Sequence, residues 1–509
     1  MLDRAAHPVL TCAQALDFEK AFFAGDEERE WAAMQRAGAA VASAALRDFQ
    51  EIAGFPPDGR ILVLVGKGHN GGDALLAAKD ILLKYPAAVA EIVLPYGVRA
   101  LRPLALRAYQ ALTHLVPNRI TSPREIRGAY ALSLDGVFGF QFRPPLDATA
   151  TKLLARANES DVRLRAAVDL PSGLGDSASF RADFTYATGS VKAPVLDQGH
   201  HAQVGRLRYL DLGFFPEGRV QISTLDSVLT PKVLKPLCGL RPAKSDKRTF
   251  GHVFILGGSR HMPGALMMSA RAALRSGAGL VTVFAPESAA PSFAARLPEA
   301  MWVSWPETPS GGLALEGIHL LRERIKRSDT LIIGPGAGRD PETEALFKDI
   351  LKEIQLPAVL DADALQPEVV KAARSPLILT PHAGEFARLA GADASNEALR
   401  SYSKNAGVTV VLKGPVTQVS AGDTIYHSMF GGPVLARGGS GDLLSGLIGG
   451  VLAQHTRDPH WAACAGTVWH GMAADALART HGQTAVQTTQ LLDFLSPVLR
   501  EVAYASPDA

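Results

Sequence analysis

Cysteine is scarce in this sequence. Cys12, Cys238 and Cys464 are the only three among 509 residues, and they lie far apart without a C-x-x-C pair. Disulfide frameworks and thiolate metal sites need cysteines in closely spaced sets, so neither is expected here. Unpaired cysteines suit a reducing compartment, and we therefore expect a cytoplasmic protein.

Long hydrophobic runs and an excess of one charge are also lacking. The longest stretch without Asp, Glu, Lys or Arg is residues 459–474, shorter than the roughly 18 apolar residues that span a bilayer. Near the N-terminus, His7, Gln14 and Asp17 interrupt the apolar core of an export signal. The 52 Lys and Arg residues balance 50 Asp and Glu residues, so no net field attracts nucleic acid. We expect no membrane span, no export and no nucleic-acid partner.

Two blocks of the chain share one rhythm. Short aliphatic runs alternate with Gly-rich turns and Ala/Leu-rich helical segments, which is the pattern of parallel βαβ units. The predicted strands are residues 61–65, 90–94, 131–134 and 166–168 in the first block, and 252–256, 280–284, 330–333, 358–360, 377–379 and 409–412 in the second. We place the boundary near residues 219–228, which predicts an α/β protein with domains 1–222 and 223–509.

A glycine-rich loop follows the first predicted strand. Residues 66–74 read GKGHNGGDA before an Ala/Leu-rich helix. Glycines permit a tight turn, and the start of a helix offers unpaired N–H groups to a phosphate. The spacing matches G-x-G-x-x-G, but Glu91 falls at the start of the next strand rather than at its end, so a conventional redox site is not expected.

Polar side chains follow two further strands of the first block. Asp135 follows residues 131–134, and Asp169 and Ser172 follow residues 166–168. In an open parallel sheet the carboxyl ends of the strands meet in one crevice, so these residues converge with Asn70 and Asp73. Each Asp taken singly is more often a turn former. Together, oxygens of Asn70, Asp135 and Ser172 suit a cation such as K⁺, which leaves Asp169 for substrate or proton transfer.

The second block carries another glycine-rich approach to a helix. Residues 431–442 read GGPVLARGGSGD before an apolar helical segment. The sequence lacks G-x-x-x-x-G-K-[ST], so P-loop chemistry is not expected. The glycines predict an anion site, where Asp442 is placed as a general base for a hydroxyl approaching a phosphoryl group. Further polar segments follow the other strands and are expected to face the same crevice: residues 334–338, 361–365, 380–385 and 413–414.

In this order, the two sets of motifs resemble the bifunctional NAD(P)H-hydrate repair enzymes over essentially the whole chain. The first block is similar to their epimerase domain, whose loop N-N-G-G-D-G reads H-N-G-G-D-A at residues 69–74. The resemblance implies a Rossmann-like three-layer sandwich, K⁺ held by Asn70, Asp135 and Ser172, and a catalytic Asp169. The implied hydrate contacts are His69, Asn70, Gly71, Gly72, Asp73, Gly139, Phe140, Gln141, Phe142 and Arg143.

The second block is similar to the ADP- or ATP-dependent dehydratase of that family, a ribokinase-like α/β domain. The matching segments are F-G-H-V, G-G-S, M-P-G-A, G-P-G-x-G, D-A-D-A-L, T-P-H-x-G-E and G-G-S-G-D. The resemblance implies hydrate contacts from Ala265, Gly336 and His382, and a catalytic Asp442. It implies that the nucleotide is bound by Lys413, Gly414, Gly438, Gly439, Ser440 and Gly441.

The activity implied by the resemblance is metabolite repair. The first domain would interconvert the R and S hydrates of NADH and NADPH, and the second would dehydrate the S form through a phosphorylated intermediate. The implied cofactors are K⁺ for the epimerase, ADP or ATP as co-substrate, and Mg²⁺ with the nucleotide. The implied partners are these small molecules, in a homo-oligomer.

Two other functions remain open at the level of sequence. Ribokinase-like proteins also phosphorylate small alcohols and vitamin precursors through the same glycine and aspartate element, and fold alone does not separate them. The first block could alternatively be a nucleotide-binding module without catalysis, since it departs from the family loop at His69 and Ala74. The T-P-H-x-G-E and D-A-D-A-L segments favour repair over the kinase, and retention of Asp135, Asp169 and Ser172 favours an active epimerase.

Overall fold

The structure, a computed structural model, describes residues 2–123, 125–216 and 225–504. Within these ranges the chain divides into two compact units. The N-terminal unit comprises residues 8–216 and 478–483, and the C-terminal unit comprises residues 2–7, 225–477 and 484–504. The expected boundary between residues 222 and 223 lies outside the described residues. None of the helices in the described ranges combines the length and hydropathy needed to cross a bilayer.

The N-terminal unit contains a seven-stranded parallel sheet with the strand order β4-β3-β2-β5-β6-β7-β9. The strands of the region are β1 (Ala6–Leu10), β2 (Arg60–Val65), β3 (Val89–Val93), β4 (Ile120–Thr121), β5 (Ala129–Gly136), β6 (Asp161–Val168), β7 (Phe184–Thr188), β8 (Val191–Lys192) and β9 (Arg206–Leu210). The helices are α1 (Cys12–Phe23), α2 (Glu27–Asp48), α3 (His69–Lys84), α4 (Pro103–Leu115), α5 (Ala148–Glu159) and α6 (His201–Val204). The four predicted strands of the first block are confirmed as β2, β3, β5 and β6.

Side-chain alternation along the central strands divides the core into two layers. Ile61 and Val63 of β2 pack with helices α2, α3 and α4 on one face. Leu62 and Leu64 point to the other face, where they pack with Leu154 of α5. Successive side chains of a strand face opposite sides of the sheet. Each strand of a sheet that is covered on both faces therefore has an uninterrupted run of hydrophobic residues. The predicted three-layer sandwich is confirmed.

Helix α3 begins earlier than the sequence suggests. The predicted glycine loop extends to Ala74, but the helix starts at His69, with Gly68 at its N-cap. Glycine is unfavourable inside a helix, so the sequence of the first turn predicts a loop. Both glycines of that turn are closely packed: a Cβ on Gly71 would lie 2.5 Å from the carbonyl oxygen of Gly66, and one on Gly72 would lie 2.6 Å from Met34 Sδ.

The C-terminal unit is a second α/β structure. Its strands are β10 (Asp226–Leu229), β11 (His252–Leu256), β12 (Leu280–Pro286), β13 (Met301–Trp305), β14 (Thr330–Ile333), β15 (Ala358–Leu360), β16 (Leu377–Leu379), β17 (Thr409–Leu412), β18 (Thr417–Ala421) and β19 (Thr424–Ser428). Their order is β13-β12-β11-β14-β15-β16-β17-β18-β19-β10. In this order, the strands from β13 through β12 and β11 to β17 run parallel to one another. Strand β18 is antiparallel to both of its neighbours, β17 and β19. The six predicted strands of the second block are confirmed.

Helices cover both faces of this second sheet. They are α7 (Pro263–Arg275), α8 (Ala290–Arg296), α9 (Ile318–Arg322), α10 (Pro341–Glu353), α11 (Pro367–Ala372), α12 (Ala383–Ala390), α13 (Asn396–Ala406), α14 (Ser440–Gln454), α15 (Pro459–His481) and α16 (Leu495–Tyr504). Phe347 of α10, Val369 of α11 and Phe386 of α12 pack on one face, while α7 and α14 contact the strands from the other. The predicted α/β fold class is confirmed for both units.

Candidate functional site

The carboxyl ends of the central strands in the N-terminal unit form a cavity of about 660 Å³, within the size range of small-molecule sites. Most of the predicted hydrate-contacting residues line it: His69, Asn70, Asp73, Gly139, Phe140, Gln141, Phe142 and Arg143, together with Asp169. Gly71 and Gly72 instead face the protein interior, where they allow α3 to pack closely. The cavity also has cations that the sequence did not single out: Lys20, Lys67, Arg102 and Lys192.

The start of α3 is suited to an anion. The first hydrogen bond inside the helix runs from Gly72 N–H to the carbonyl of Gly68 at 3.3 Å. The N–H groups of the preceding residues therefore have no acceptor within the helix, and the helix dipole adds positive potential. Because His69 and Asn70 line the cavity, a phosphate group of a ligand would find these donors at its wall.

Asp135 is the centre of a buried oxygen cluster. Its Oδ2 accepts the Ser172 N–H at 2.7 Å, and its Oδ1 accepts the Ser172 hydroxyl at 2.6 Å. The carbonyl oxygen of Phe138 accepts the Asn70 amide at 2.8 Å and a longer contact from the Ser172 hydroxyl at 3.3 Å. Thus the three predicted cation ligands, Asn70, Asp135 and Ser172, lie in one connected cluster.

The charge of this cluster is not balanced by a protein cation. Asp135 is fully buried, and within the described ranges it forms no salt bridge. Burial raises the pKa of Asp135 to about 6, although hydrogen bonds from Ser172 and Val137 act in the opposite direction. A buried carboxylate surrounded by oxygen donors fits a hard monovalent cation, because such a cation would supply the missing charge.

Asp169 is held by a buried lysine that sequence analysis missed. Lys192 Nζ lies 2.6 Å from Asp169 Oδ1, and the two side chains are 1% and 7% exposed. Thr188 contacts the same oxygen through its N–H at 3.3 Å and its hydroxyl at 3.4 Å. Thr188 ends β7 and Lys192 ends β8. Neither strand was among those predicted from the sequence, so the rule of strand carboxyl ends did not reach these two residues.

Two more carboxyl groups share the cavity with this pair. Burial raises the pKa of Glu19 to about 7, and Asp169 and Glu30 add to the rise while Lys192 opposes it. Burial also raises the pKa of Asp73 well above its usual value, with contributions from Asp169 and Glu19. A carboxyl group with a pKa of about 7, as at Glu19, can both give and accept a proton near neutral pH, which suits acid and base catalysis. Glu19 lies on α1, and no motif in the sequence marked it.

In the C-terminal unit, strand ends gather a lysine and three carboxylates. Lys413, after β17, places Nζ 3.3 Å from Asp361 Oδ1 and 3.8 Å from Glu385 Oε2. Burial disfavours the ammonium, but Asp361 and Glu385 outweigh it and raise the pKa of Lys413. Asp442 lies in the first turn of α14. Burial raises the pKa of Asp442 to about 6; Asp361 adds to the rise and Lys413 opposes it.

The glycine-rich approach forms the start of α14. Gly439 has φ of +88°, and the helix begins at Ser440 without a side-chain cap, so first-turn N–H groups remain available for an anion. Gly441 lies against the lysine, since a Cβ there would be 3.1 Å from Lys413 Nζ. His470 of α15 is buried behind this turn and hydrogen-bonds to the backbone of Ser440, and burial lowers its pKa to about 4. The sequence did not mark His470.

His382 has a structural contact in addition to its predicted one. It caps α12, with its Nδ1 accepting the N–H groups of Gly384 at 3.0 Å and Glu385 at 3.3 Å. The Glu385 carboxylate in turn accepts a hydrogen bond from the backbone N–H of His382 at 2.8 Å. The His382 side chain is 58% exposed, and its Nε2 lies 3.5 Å from Glu385 Oε1.

The other predicted hydrate contacts adjoin each other. Gly336 has φ of +63°, and a Cβ there would lie 2.3 Å from the Met262 carbonyl oxygen and 2.8 Å from the Cβ of Ala265. Gly336 and Ala265 therefore form one closely packed wall. Gly414 and Gly438 are open positions, with no atom closer than 3.6 Å to an added Cβ. Among the residues described, no group of three or more His, Cys, Asp and Glu side chains is arranged to hold a metal ion.

Two family profiles match the chain, one in each unit. The profile described as NAD(P)H-hydrate dehydratase matches residues 253–497. The profile described as YjeF-related protein N-terminus matches residues 31–194. The two matches contain every predicted site residue, but Glu19 of the cavity lies before the first of them.

Solved structures with similarity to the chain cover about half of it. A ribokinase-like superfamily protein from Enterococcus faecalis is 27% identical and covers 56% of this chain and 99% of its own, with a TM-score of 0.49. An ADP/ATP-dependent NAD(P)H-hydrate dehydratase from Bacillus subtilis, co-crystallized with ATP/Mg²⁺, is 28% identical and covers 52% of this chain and 94% of its own, with a TM-score of 0.45.

Full-length relatives match both units at once. A bifunctional NAD(P)H-hydrate repair enzyme from Moorella thermoacetica is 35% identical over 498 residues, covering 92% of each chain. One from Gloeobacter violaceus is 35% identical over 517 residues, covering 96% of this chain and 97% of its own. The chain therefore belongs to the family of bifunctional NAD(P)H-hydrate repair enzymes.

Proposed function

We propose that this chain repairs hydrated NADH and NADPH. Its N-terminal unit epimerises the R and S hydrates, and its C-terminal unit dehydrates the S hydrate with ADP or ATP. The observation that carries the proposal is the similarity to bifunctional repair enzymes over more than nine-tenths of the chain, together with two family matches whose ranges contain both polar sites. The two activities belong to domains 1–222 and 223–509.

Asp442 is the general base of the dehydratase. The hydrate carries a hydroxyl group at C6 of the nicotinamide ring. Asp442 accepts the hydroxyl proton as the oxygen bonds to the terminal phosphorus of the nucleotide, and the bond from that phosphorus to the leaving AMP or ADP breaks. The C6–O bond of the resulting ester then breaks and phosphate leaves, while C5 loses a proton, which restores the C5–C6 double bond. The raised pKa of Asp442 supports this role, because a carboxylate with a pKa of about 6 accepts a proton more readily than an ordinary aspartate does.

The start of α14 binds the phosphoryl group during transfer. The N–H groups at Gly439 and Gly441 stabilise developing negative charge, and Lys413 beside Gly441 provides a cation. Gly414 and Gly438 complete the nucleotide site, while Ala265, Gly336 and His382 contact the hydrate. Mg²⁺ accompanies the nucleotide and screens its phosphates. A single carboxylate such as that of Asp361 is an oxygen ligand of the kind that Mg²⁺ accepts, and the nucleotide phosphates would supply further ligands.

Asp169 moves the proton in the epimerase. Inversion at C6 requires either the C6–O bond or the ring C6–N bond to open and close again. In either case a proton is transferred between the substrate and a protein group as the bond opens, and it is transferred back as the bond closes. Asp169 lines the cavity together with most of the residues predicted to contact the dinucleotide. Lys20, Lys67, Arg102 and Arg143 place positive charge in the same cavity, which suits the pyrophosphate of the substrate.

Asn70, Asp135 and Ser172 would hold K⁺ beside the epimerase cavity. The support is the buried Asp135 carboxylate, which pairs with no cation among the described residues, and the oxygens around it. When bound, K⁺ supplies charge balance for Asp135 and order for the loop that follows β5. Asn70 and Phe138 also line the cavity, so the cation cluster adjoins the substrate site. We also propose a cytoplasmic homo-oligomer, which the family resemblance alone supports and light scattering would test.

Recovery of the dihydronicotinamide absorbance tests the function. Purified protein is mixed with both epimers of NADH hydrate and with ADP, with ATP or with neither, and a sample without protein measures spontaneous epimerisation. We expect recovery of the whole pool that depends on nucleotide. Recovery that stops when the S epimer is exhausted would reduce the first unit to a binding module. Failure with both nucleotides, together with turnover of a small alcohol to a stable phosphate ester, would favour a kinase.

A further inference from the structure

The buried ion pair in the epimerase cavity is asymmetric. The described hydrogen bonds to the Asp169 carboxylate all end on Oδ1: one from Lys192 Nζ at 2.6 Å, one from Thr188 N–H and one from the Thr188 hydroxyl. Asp169 lines the cavity, so Oδ2 is the oxygen left to face a ligand. A carboxylate with one oxygen anchored and the other directed at the cavity is arranged to act at one atom of a substrate.

The backbone of Asp169 holds the side chain from the other end. Its φ of +66° lies in the left-handed region, which residues other than glycine seldom adopt. Its N–H donates to the carbonyl of Tyr186 at 2.8 Å, which fixes that conformation against β7. Strained backbone of this kind persists where surrounding contacts impose it, and it is concentrated at functional sites.

Lys192 has few reasons to be buried other than this carboxylate. Its ammonium also donates to the Thr188 carbonyl at 3.1 Å and lies 5.1 Å from the centre of the Phe140 ring. A charged lysine is seldom fully buried unless it is paired, because removing it from water is costly. Replacing such a pair by apolar side chains often stabilises a protein, so a stabilising contact alone does not account for it.

We propose that Lys192 is a positioning residue of the epimerase, which together with Thr188 holds Oδ1 of Asp169 and directs Oδ2 at C6 of the hydrate. This inference rests on the proposed epimerase function of the N-terminal unit. Lys192 does not contact the reacting atoms in this arrangement. Its ammonium also balances the Asp169 charge in a cavity that already contains the carboxyl groups of Glu19 and Asp73. Phe140, beside the ammonium, lines the same cavity.

The test uses the full chain and the separated R hydrate, with R-to-S conversion followed by chromatography. The variants are K192M, D169N and D169N/K192M, with K152M as a control because Lys152 is exposed on α5. Conversion of the S hydrate with ADP or ATP is measured on every variant, and it should stay at the wild-type level. We expect K192M to lower kcat for epimerisation about 100-fold with KM changed less than about threefold, since positioning affects the transition state more than binding.

The double variant separates positioning from an independent role. If Lys192 acts through Asp169, D169N/K192M retains the residual epimerase rate of D169N within about threefold, because residues acting as one unit are not additive. A further 100-fold loss would overturn the inference. K192M leaves Asp169 buried without its partner and is expected to melt at a lower temperature, whereas D169N/K192M lacks both charges. The comparison of D169N with D169N/K192M therefore decides even if K192M fails to fold.

Two further outcomes would also overturn the inference. One is an unchanged kcat in a folded K192M. The other is a borohydride-trapped adduct of substrate on Lys192, because a lysine that bonds to the substrate is not held on Asp169. Wild-type protein that fails to convert the R hydrate would instead contradict the proposed function itself. That result is distinct from a wild type that converts the R hydrate and a K192M variant that matches it.

Discussion

The ammonium nitrogen of Lys413 lies 3.3 Å from Oδ1 of Asp361. The same lysine is 3.8 Å from Glu385, and the charge of Asp442 contributes to its raised pKa. One ammonium thus faces three carboxylates, and the crevice remains negatively charged. Such a crevice repels a nucleoside diphosphate unless a cation accompanies it, which is a physical reason for expecting Mg²⁺ with the nucleotide.

Substituting D442N should abolish dehydration while nucleotide binding remains. Asparagine keeps the shape of the side chain but cannot accept the hydroxyl proton, so we expect kcat to fall by about three orders of magnitude or more. Calorimetric titration with ADP should give an affinity within about threefold of wild type. R-to-S epimerisation by the same variant provides an internal control for folding. Turnover of the S hydrate near the wild-type rate would remove Asp442 from the mechanism.

Dehydration should depend on pH through the raised pKa of Asp442. The base must be ionised, so kcat/KM should be level above pH 6 and fall about tenfold per unit below the pKa of about 6. Because the Asp361 charge raises this pKa, D361N should shift the midpoint to lower pH. The profile is measured with the S hydrate and saturating nucleotide. A midpoint that D361N leaves unchanged, or moves upward, would assign the titration to another group.

Removing the Asp135 charge should abolish the response of epimerisation to K⁺. D135A removes the buried carboxylate that a cation would balance, so rates with and without KCl should become equal, and dehydration should be unaffected. Lithium or tetramethylammonium chloride at equal ionic strength controls for salt effects. Loss of both activities would indicate misfolding, and an undiminished K⁺ response would place the cation elsewhere.

Two substitutions at His382 should separate its two contacts. H382A removes the Nδ1 cap of α12 and should cost about 1 kcal/mol of stability, and it should also raise KM for the S hydrate. H382N restores a good capping side chain, so its melting temperature should return close to wild type while the KM stays raised. Thermal unfolding and steady-state kinetics are compared for both. A KM that recovers together with the melting temperature would show that His382 acts only as a cap.

A matched pair of glycine substitutions tests the packed wall beside the hydrate. Gly336 and Gly391 have φ of +63° and +67°, but an added Cβ collides with Met262 at the first position and meets nothing within 4 Å at the second. G391A should cost about 1 kcal/mol from backbone conformation alone. G336A should cost clearly more and impair dehydration. Equal losses of stability in urea denaturation would mean that the wall near Gly336 yields readily.

The strands and the convergence of the polar segments were predictable because they follow from local patterns. Buried parallel strands have uninterrupted aliphatic sequences, and their carboxyl ends share one edge, so Asp169 was located by this rule. Asp442 was located by the glycine-rich approach to a helix. The start of α3 was not predictable in the same way. Gly71 and Gly72 disfavour a helix locally, and only their packing against Gly66 and Met34 explains why a helix forms there.

Residues that reach the two sites from other parts of the fold were also missed, for a related reason. Lys192 is 23 residues from Asp169 and reaches it from the end of β8, and His470 reaches Ser440 from a different helix. Such pairs are set by tertiary packing, which leaves no periodic or motif signal in the sequence. Glu19 illustrates the same limit, since α1 reads as an ordinary amphipathic helix and its carboxyl group matters only because the cavity lies beside it.

The left-handed backbone at Asp169 has a consequence for selection and engineering. Glycine and asparagine adopt that conformation at lower cost than aspartate, and a neutral residue there would no longer require a buried lysine. A library screened only for resistance to heat would therefore enrich glycine or asparagine at residue 169, with an apolar partner at residue 192. Heat-selected variants would keep their fold and their dehydratase while losing the epimerase, so a screen for robustness in this protein must also assay the R hydrate.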